Sequence, residues 1–154
     1  MSTMQEQWAA QIREMPVVFR LALLSDEQAI RHRPATGKWS AIEVVGHMID
    51  KVGIWTSRVE RLLAEERPTL AAYDQDALVR EHDYQHADPE ELFERLRQKC
   101  ERFASLIEQV SLPALKREGV HEAFGPITLG QCIVYALEAC PEHLKQLQAA
   151  QTLG

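Results

Sequence analysis

Apolar residues recur every three or four positions along four long stretches of the chain, and that spacing predicts four amphipathic helices. The first runs roughly from residue 3 to 24, with Trp8, Ile12, Met15, Phe19 and Ala22 on one face. Pro16 falls inside it, where a missing N–H and a ring clash predict a kink or a break. Ser25 to Gln28 reads as a capping box for a short extra turn. The second helix opens at "WSAIE", with Ser40 as N-cap and Glu43 as its reciprocal partner. Its stripe is Ile42, Val45, Ile49, Val52, Val59 and Leu63. Val44, Met48, Ile54 and Trp55 add apolar surface on other sides, so this helix has neighbours on more than one flank.

Residues 67 to 87 carry no such stripe and form a crossover too long for a tight connection between antiparallel neighbours. The third helix opens at "DPEE", with Asp88 at the cap, Pro89 in the first turn and acidic residues facing the helix dipole. Leu92, Leu96, Cys100, Phe103, Ile107 and Val110 make its stripe. "REGVHEAFGPIT" is a compact turn region. Thr128 with Gln131 then caps the fourth helix, which packs through Leu129, Ile133, Leu137, Leu144 and Leu147. The whole chain, residues 1–154, reads as one all-α domain, a four-helix bundle with a long crossover between its second and third helices.

Composition changes this picture little. Seven glycines and seven prolines are too few for a turn-rich all-β fold. A net charge of -6 argues against a nucleic-acid or anionic-lipid partner. No apolar run is long enough to span a bilayer. Three cysteines, Cys100, Cys132 and Cys140, form neither a disulfide framework nor a CxxC pair, which fits a reducing cytoplasm.

The candidate chemistry lies in histidines. His47 and His143 fall on the second and fourth helices, and inward side chains of different bundle helices can converge on one metal. On the helical wheel His47 lies nearly opposite the Val45–Ile49–Val52 stripe, beside Glu43, Asp50, Lys51, Ile54 and Arg58, so periodicity makes it solvated or pocket-lining. His143 shares its face with Cys132, Ala136, Ala139 and Leu147. The bland reading of both is an isolated histidine that binds nothing. His82 and His86 have ligand spacing, i and i+4, only if the crossover is helical there; otherwise they are polar loop residues. His32 has no visible partner and is expected to be exposed; His121 can hydrogen-bond its own turn or edge a pocket, and the turn role is favoured. There is no GxSxG, P-loop or dinucleotide fingerprint.

"GKWSAIEVVGHMID" followed by Arg58, a crossover with "AYD", the "DPEEL" helix start, "GVHEAFGPITLGQ" and a last helix with "EHLKQLQ" resemble the DinB/YfiT-like family in order and spacing. The resemblance implies an up-down-down-up bundle, commonly a homodimer. It implies a divalent metal, zinc or nickel, on three histidines, one on the second helix and two at i,i+4 on the fourth. Some relatives are thiol-dependent transferases. Carried onto this chain, the ligands fall on His47, Ala139 and His143, and alanine coordinates nothing. Cys140, three residues before His143, and Glu43, four before His47, are the candidate substitutes; Asp50, one turn from His47, is the candidate acceptor that would orient the His47 ring. Pro141 is expected to kink the fourth helix beside the site. Two functional readings follow. One is a bundle with a degenerate histidine site, little or no metal, and a small-ligand cavity. The other is a metal-dependent thiol S-transferase or hydrolase using His47, His143 and a substitute ligand.

Overall fold

The structure, a computed structural model, describes residues 1–152. Its frame is four long helices: α1 (Met4–Ala22), α3 (Ala41–Ala64), α5 (Pro89–Gln109) and α6 (Leu129–Ala150), with a short α2 (Glu27–Arg31) after the first. The expected caps are in place. Ser40 and Glu43 close a capping box at the start of α3, Thr128 and Gln131 close one at α6, and Asp88 accepts from the Glu91 N–H at α5. At α2 the cap is Asp26 rather than Ser25.

Neither interior proline ends its helix. Pro16 does not split α1, and α6 continues through Pro141 from Leu129 to Ala150. Each proline removes one backbone bond, but its turn carries buried packing: Ile12, Met15 and Phe19 around Pro16, and Ala136 and Leu147 on either side of Pro141. Burial of such faces is worth more than one hydrogen bond.

α3 is the central rod, with buried residues on every side, from Ala41 to Leu62. It packs on α5 and α6, while α1 packs on α5. The crossover is not featureless. It holds β1 (Thr69–Leu70), α4 (Gln75–Glu81) and a 3-10 turn, Tyr84–His86, whose Tyr84 ring rests on Gly46 of α3.

The fold is also not purely helical. The compact turn region is a β-hairpin, β2 (Glu118–His121) paired antiparallel with β3 (Gly125–Thr128), and β1 adds in parallel so that Thr69 faces Val120. The buried face of this ribbon is Gly119, His121 and Ile127, with Val120 on the other side, so no apolar alternation marks it as a strand in the sequence. Gly125 turns it with φ near 77°, a conformation glycine adopts freely. The hairpin lays His121 and Phe124 across one end of the groove between α3 and α6.

Candidate functional site: a histidine pair beside a cavity

His47 and His143 meet. Their Nε2 atoms are 3.4 Å apart and their ring centroids 4.6 Å apart, nearly perpendicular. Of the two wheel readings of His47, solvated or pocket-lining, the solvated one is corrected: it is only 2% exposed. Helix α6 covers the face that periodicity left polar, and the Trp39 ring, just before the α3 cap, lies 4.4 Å from the His47 ring. The sequence carries no signal for Trp39, because it stands outside the helical repeat.

The hydrogen bonds assign protons. His143 Nδ1 lies 3.0 Å from Gln146 Oε1, an atom that only accepts, so Nδ1 carries the hydrogen and Nε2 turns a lone pair toward His47. Gln146 is three residues on along the same helix face, a spacing readable from sequence. The His47 Nδ1 atom is buried with no partner among the described residues. If His47 carries its hydrogen on Nε2, a long 3.4 Å bond joins the rings and Nδ1 is an orphan acceptor. If on Nδ1, an orphan donor is buried there and two lone pairs face each other. Either tautomer leaves a deficit of about 1–3 kcal/mol.

Burial, the His143 ring and the Lys51 ammonium together push the His47 pKa down to about 3. Burial also lowers that of His143, against a smaller upward pull from Gln146. The pair is therefore neutral at pH 7, the state that ligates metals. Lowered histidine pKa values mean that the unfolded chain binds more protons below about pH 6.5. Stability is fully present above that pH and is lost as pH falls toward 3. With chelator present, the melting temperature should fall between pH 7 and 5, and His47→Gln should remove much of that slope. Equal slopes in parent and variant would contradict a buried neutral pair.

Two imidazole nitrogens on one tetrahedral ion, each about 2.0–2.1 Å from it, stand about 3.4 Å apart. The bite of the pair thus suits a zinc-like ion. The rest of the donor set does not. Ala139, one turn before His143, presents a methyl group to the cavity where the third nitrogen is expected. Glu43 is not a substitute. Its carboxylate takes the Arg33 guanidinium at 2.8 and 3.1 Å and the Ser40 N–H at 3.0 Å. Burial pushes the Glu43 carboxyl up, but Arg33 and Ser40 outweigh it and hold it below the usual range.

Cys140 is not a substitute either. Its thiol bonds the Ala136 carbonyl at 3.3 Å, lines a groove toward α1 with Met15 and Phe19, and is pushed up to about 11 by burial. Asp50 does not orient His47; it accepts from the Tyr84 hydroxyl at 2.7 Å and from His82 at 3.0 Å. Among the described residues no three His, Cys, Asp or Glu side chains converge to hold an ion. A stable zinc site has at least three protein donors, so the residues present fit half a site and not a whole one.

The other histidines act locally. His82 ends α4, Asp83 turns the chain with φ 51°, and His86 bonds Asp83, so the i,i+4 pair never shares a face. His121 Nδ1 accepts from the Ala123 and Phe124 N–H groups, the expected turn role. His32 makes no side-chain bond among the described residues and is half-buried rather than exposed as expected.

Beside the pair opens a cavity of about 670 Å³. Its floor is Lys51, Trp55 and Arg58 of α3, at i, i+4 and i+7. Helix α6 gives one wall, from Cys132 to Glu142, and the hairpin gives the other, with His121, Phe124 and Ile127. That volume suits a small molecule.

The family model of the DinB superfamily matches residues 7–147, and the chain belongs to that superfamily. Within it, the chain is similar in structure to YfiT from Bacillus subtilis, described as a probable metal-dependent hydrolase with an unusual four-helix bundle topology. That match has a TM-score of 0.87 at 22% identity and covers 97% of this chain and 87% of the other; it speaks for the fold. No curated protein sequence matches the chain. Among the described residues no helix is long and apolar enough to cross a membrane.

Proposed function

We propose that this chain is a small-ligand-binding DinB-family bundle whose metal centre is reduced to two nitrogen donors. One observation carries the reading: His47 and His143 keep the bite of a shared ion while Ala139 stands where a third donor belongs. On this reading the protein alone holds zinc or nickel weakly or not at all, and the cavity beside the pair is the working surface. The alternative, a metal-dependent thiol transferase or hydrolase, draws support from the same 3.4 Å separation. It needs a further donor brought by the substrate itself, such as a thiolate.

The proposal also takes the long helices as up, down, down, up. Support comes from Arg13 on Glu101 and Arg20 on Glu90, which set α1 against α5 in opposite directions. Arg102 on Glu60 fits α3 and α5 running the same way. A homodimer belongs to the same reading, and exposed Val17 and Leu21, one turn apart on α1, support it.

Zinc titration of protein purified without a histidine tag tests the central claim. The expected dissociation constant is micromolar or weaker, weakened further by about tenfold or more in His143→Ala, since one of two ligands is lost. A nanomolar parent would mean a complete site and would overturn the proposal.

A further inference from the structure

The floor of the cavity carries two cations, Lys51 and Arg58, with no ion-pair partner among the described residues. Among the described residues no carboxylate lies within 4 Å of Arg58 or Lys51; the other arginines either have one, as do Arg13, Arg20, Arg31, Arg33, Arg61, Arg67, Arg97 and Arg102, or, like Arg80, Arg95 and Arg117, stand exposed to water. An unpaired guanidinium held away from water is costly, so its position calls for an acceptor.

Arg58 is held in place without being neutralised. Its Nη2 donates to the Ala71 carbonyl at 2.8 Å, the single hydrogen bond it makes to the described residues, and its Cζ stands 5.7 Å from the centre of the Tyr73 ring. Its Nε is buried with no acceptor. Burial lowers its pKa, and its charge in turn depresses that of His121, an effect secondary there to burial. Lys51 differs. It lies over the Trp55 ring, 5.4 Å from the centroid, and Glu142 offsets part of its charge from a distance.

Around Arg58 the walls are apolar: Trp55, Ile127 and the rim aromatics Phe124 and Tyr135. Phe124 and Tyr135 are 74% and 51% exposed, a large apolar surface to leave open beside a cation. At the other end of the mouth stand the exposed carboxylates Glu138 and Glu142. They disfavour a dianion such as a phosphate monoester.

Resting on the small-ligand reading above, the geometry points to one ligand class: amphipathic monocarboxylates. The carboxylate sits on Arg58, and the aromatic or branched apolar body lies against Trp55, Ile127 and the rim aromatics. Planar guanidinium suits planar carboxylate. Two turns of α3, about 10 Å, separate Arg58 from Lys51, so the ligand's far end points toward the histidine pair.

The experiment compares 3-phenylpropionate with its neutral isostere 3-phenylpropanamide, by calorimetric titration of the full chain in chelator at neutral pH. The acid is expected to bind at least about tenfold more tightly, the size of one charge-assisted pair. In Arg58→Gln the two affinities should converge to within about twofold, and in Lys51→Gln the preference should persist. The wild-type comparison needs no variant to fold, and circular dichroism melting checks both variants. Equal affinities for the wild type overturn the inference, as do a preference that survives in Arg58→Gln, one lost only in Lys51→Gln, or no binding of either compound at about 10 millimolar. The histidine half-site is scored by zinc titration, so failure here leaves that result standing.

Discussion

Ala139→His should turn a weak zinc binder into a tight one. A four-ligand structural zinc site gains roughly 10–16 kcal/mol, or roughly 2.5–4 per ligand. A third imidazole should therefore tighten zinc by about two orders of magnitude or more. Three features of the structure favour the gain. Position 139 is one turn from His143, the spacing that brings two side chains onto one face. It borders the cavity, into which an imidazole can extend. The His143 ring is already oriented by Gln146, which spares part of the ordering cost. Competition with a chromogenic chelator measures the affinity. If the variant binds zinc within about fivefold of the parent, position 139 is not the vacant ligand position and the reading of α6 falls.

The sequence reveals the frame better than the site, and particular residues show why. Caps are local chemistry, so Ser40, Asp88 and Thr128 mark their helix starts within four residues. The missing ligand is equally local, since Ala139 lies on a spacing fixed by the helix repeat. His47 is the opposite case. Its burial depends on α6 and Trp39, both distant in sequence or outside any repeat, so a wheel drawn on α3 alone leaves open whether it is solvated or lines a pocket. Glu43 and Cys140 have ligand spacing, but spacing does not show that Arg33 or the Ala136 carbonyl already claims each of them. Asp50 fails as the His47 acceptor for a similar reason, because the crossover brings Tyr84 to it from 34 positions away.

That crossover contact carries the largest stability effect expected. A Cβ placed on Gly46 would stand 2.0 Å from the Tyr84 ring, a distance no packing tolerates. Tyr84 cannot easily retreat. It is 1% exposed, its hydroxyl is bonded to Asp50 at 2.7 Å, and Arg95 lies 5.8 Å from its ring centre. Gly46→Ala should therefore cost about 3 kcal/mol, the upper end of ordinary overpacking, and lower the melting temperature by roughly 6–12 °C. Helix propensity works the other way, because alanine in a helix interior is worth up to about 1 kcal/mol over glycine. A Tyr84→Ala background separates the two effects. With the ring gone, Gly46→Ala should be neutral or stabilising, so the pair of substitutions must be strongly non-additive. Chemical denaturation of the four proteins measures this directly. A Gly46→Ala cost that stays the same without the ring would show that the crossover does not seat on α3 beside His47, and the wall this contact gives the bundle would have to be redrawn.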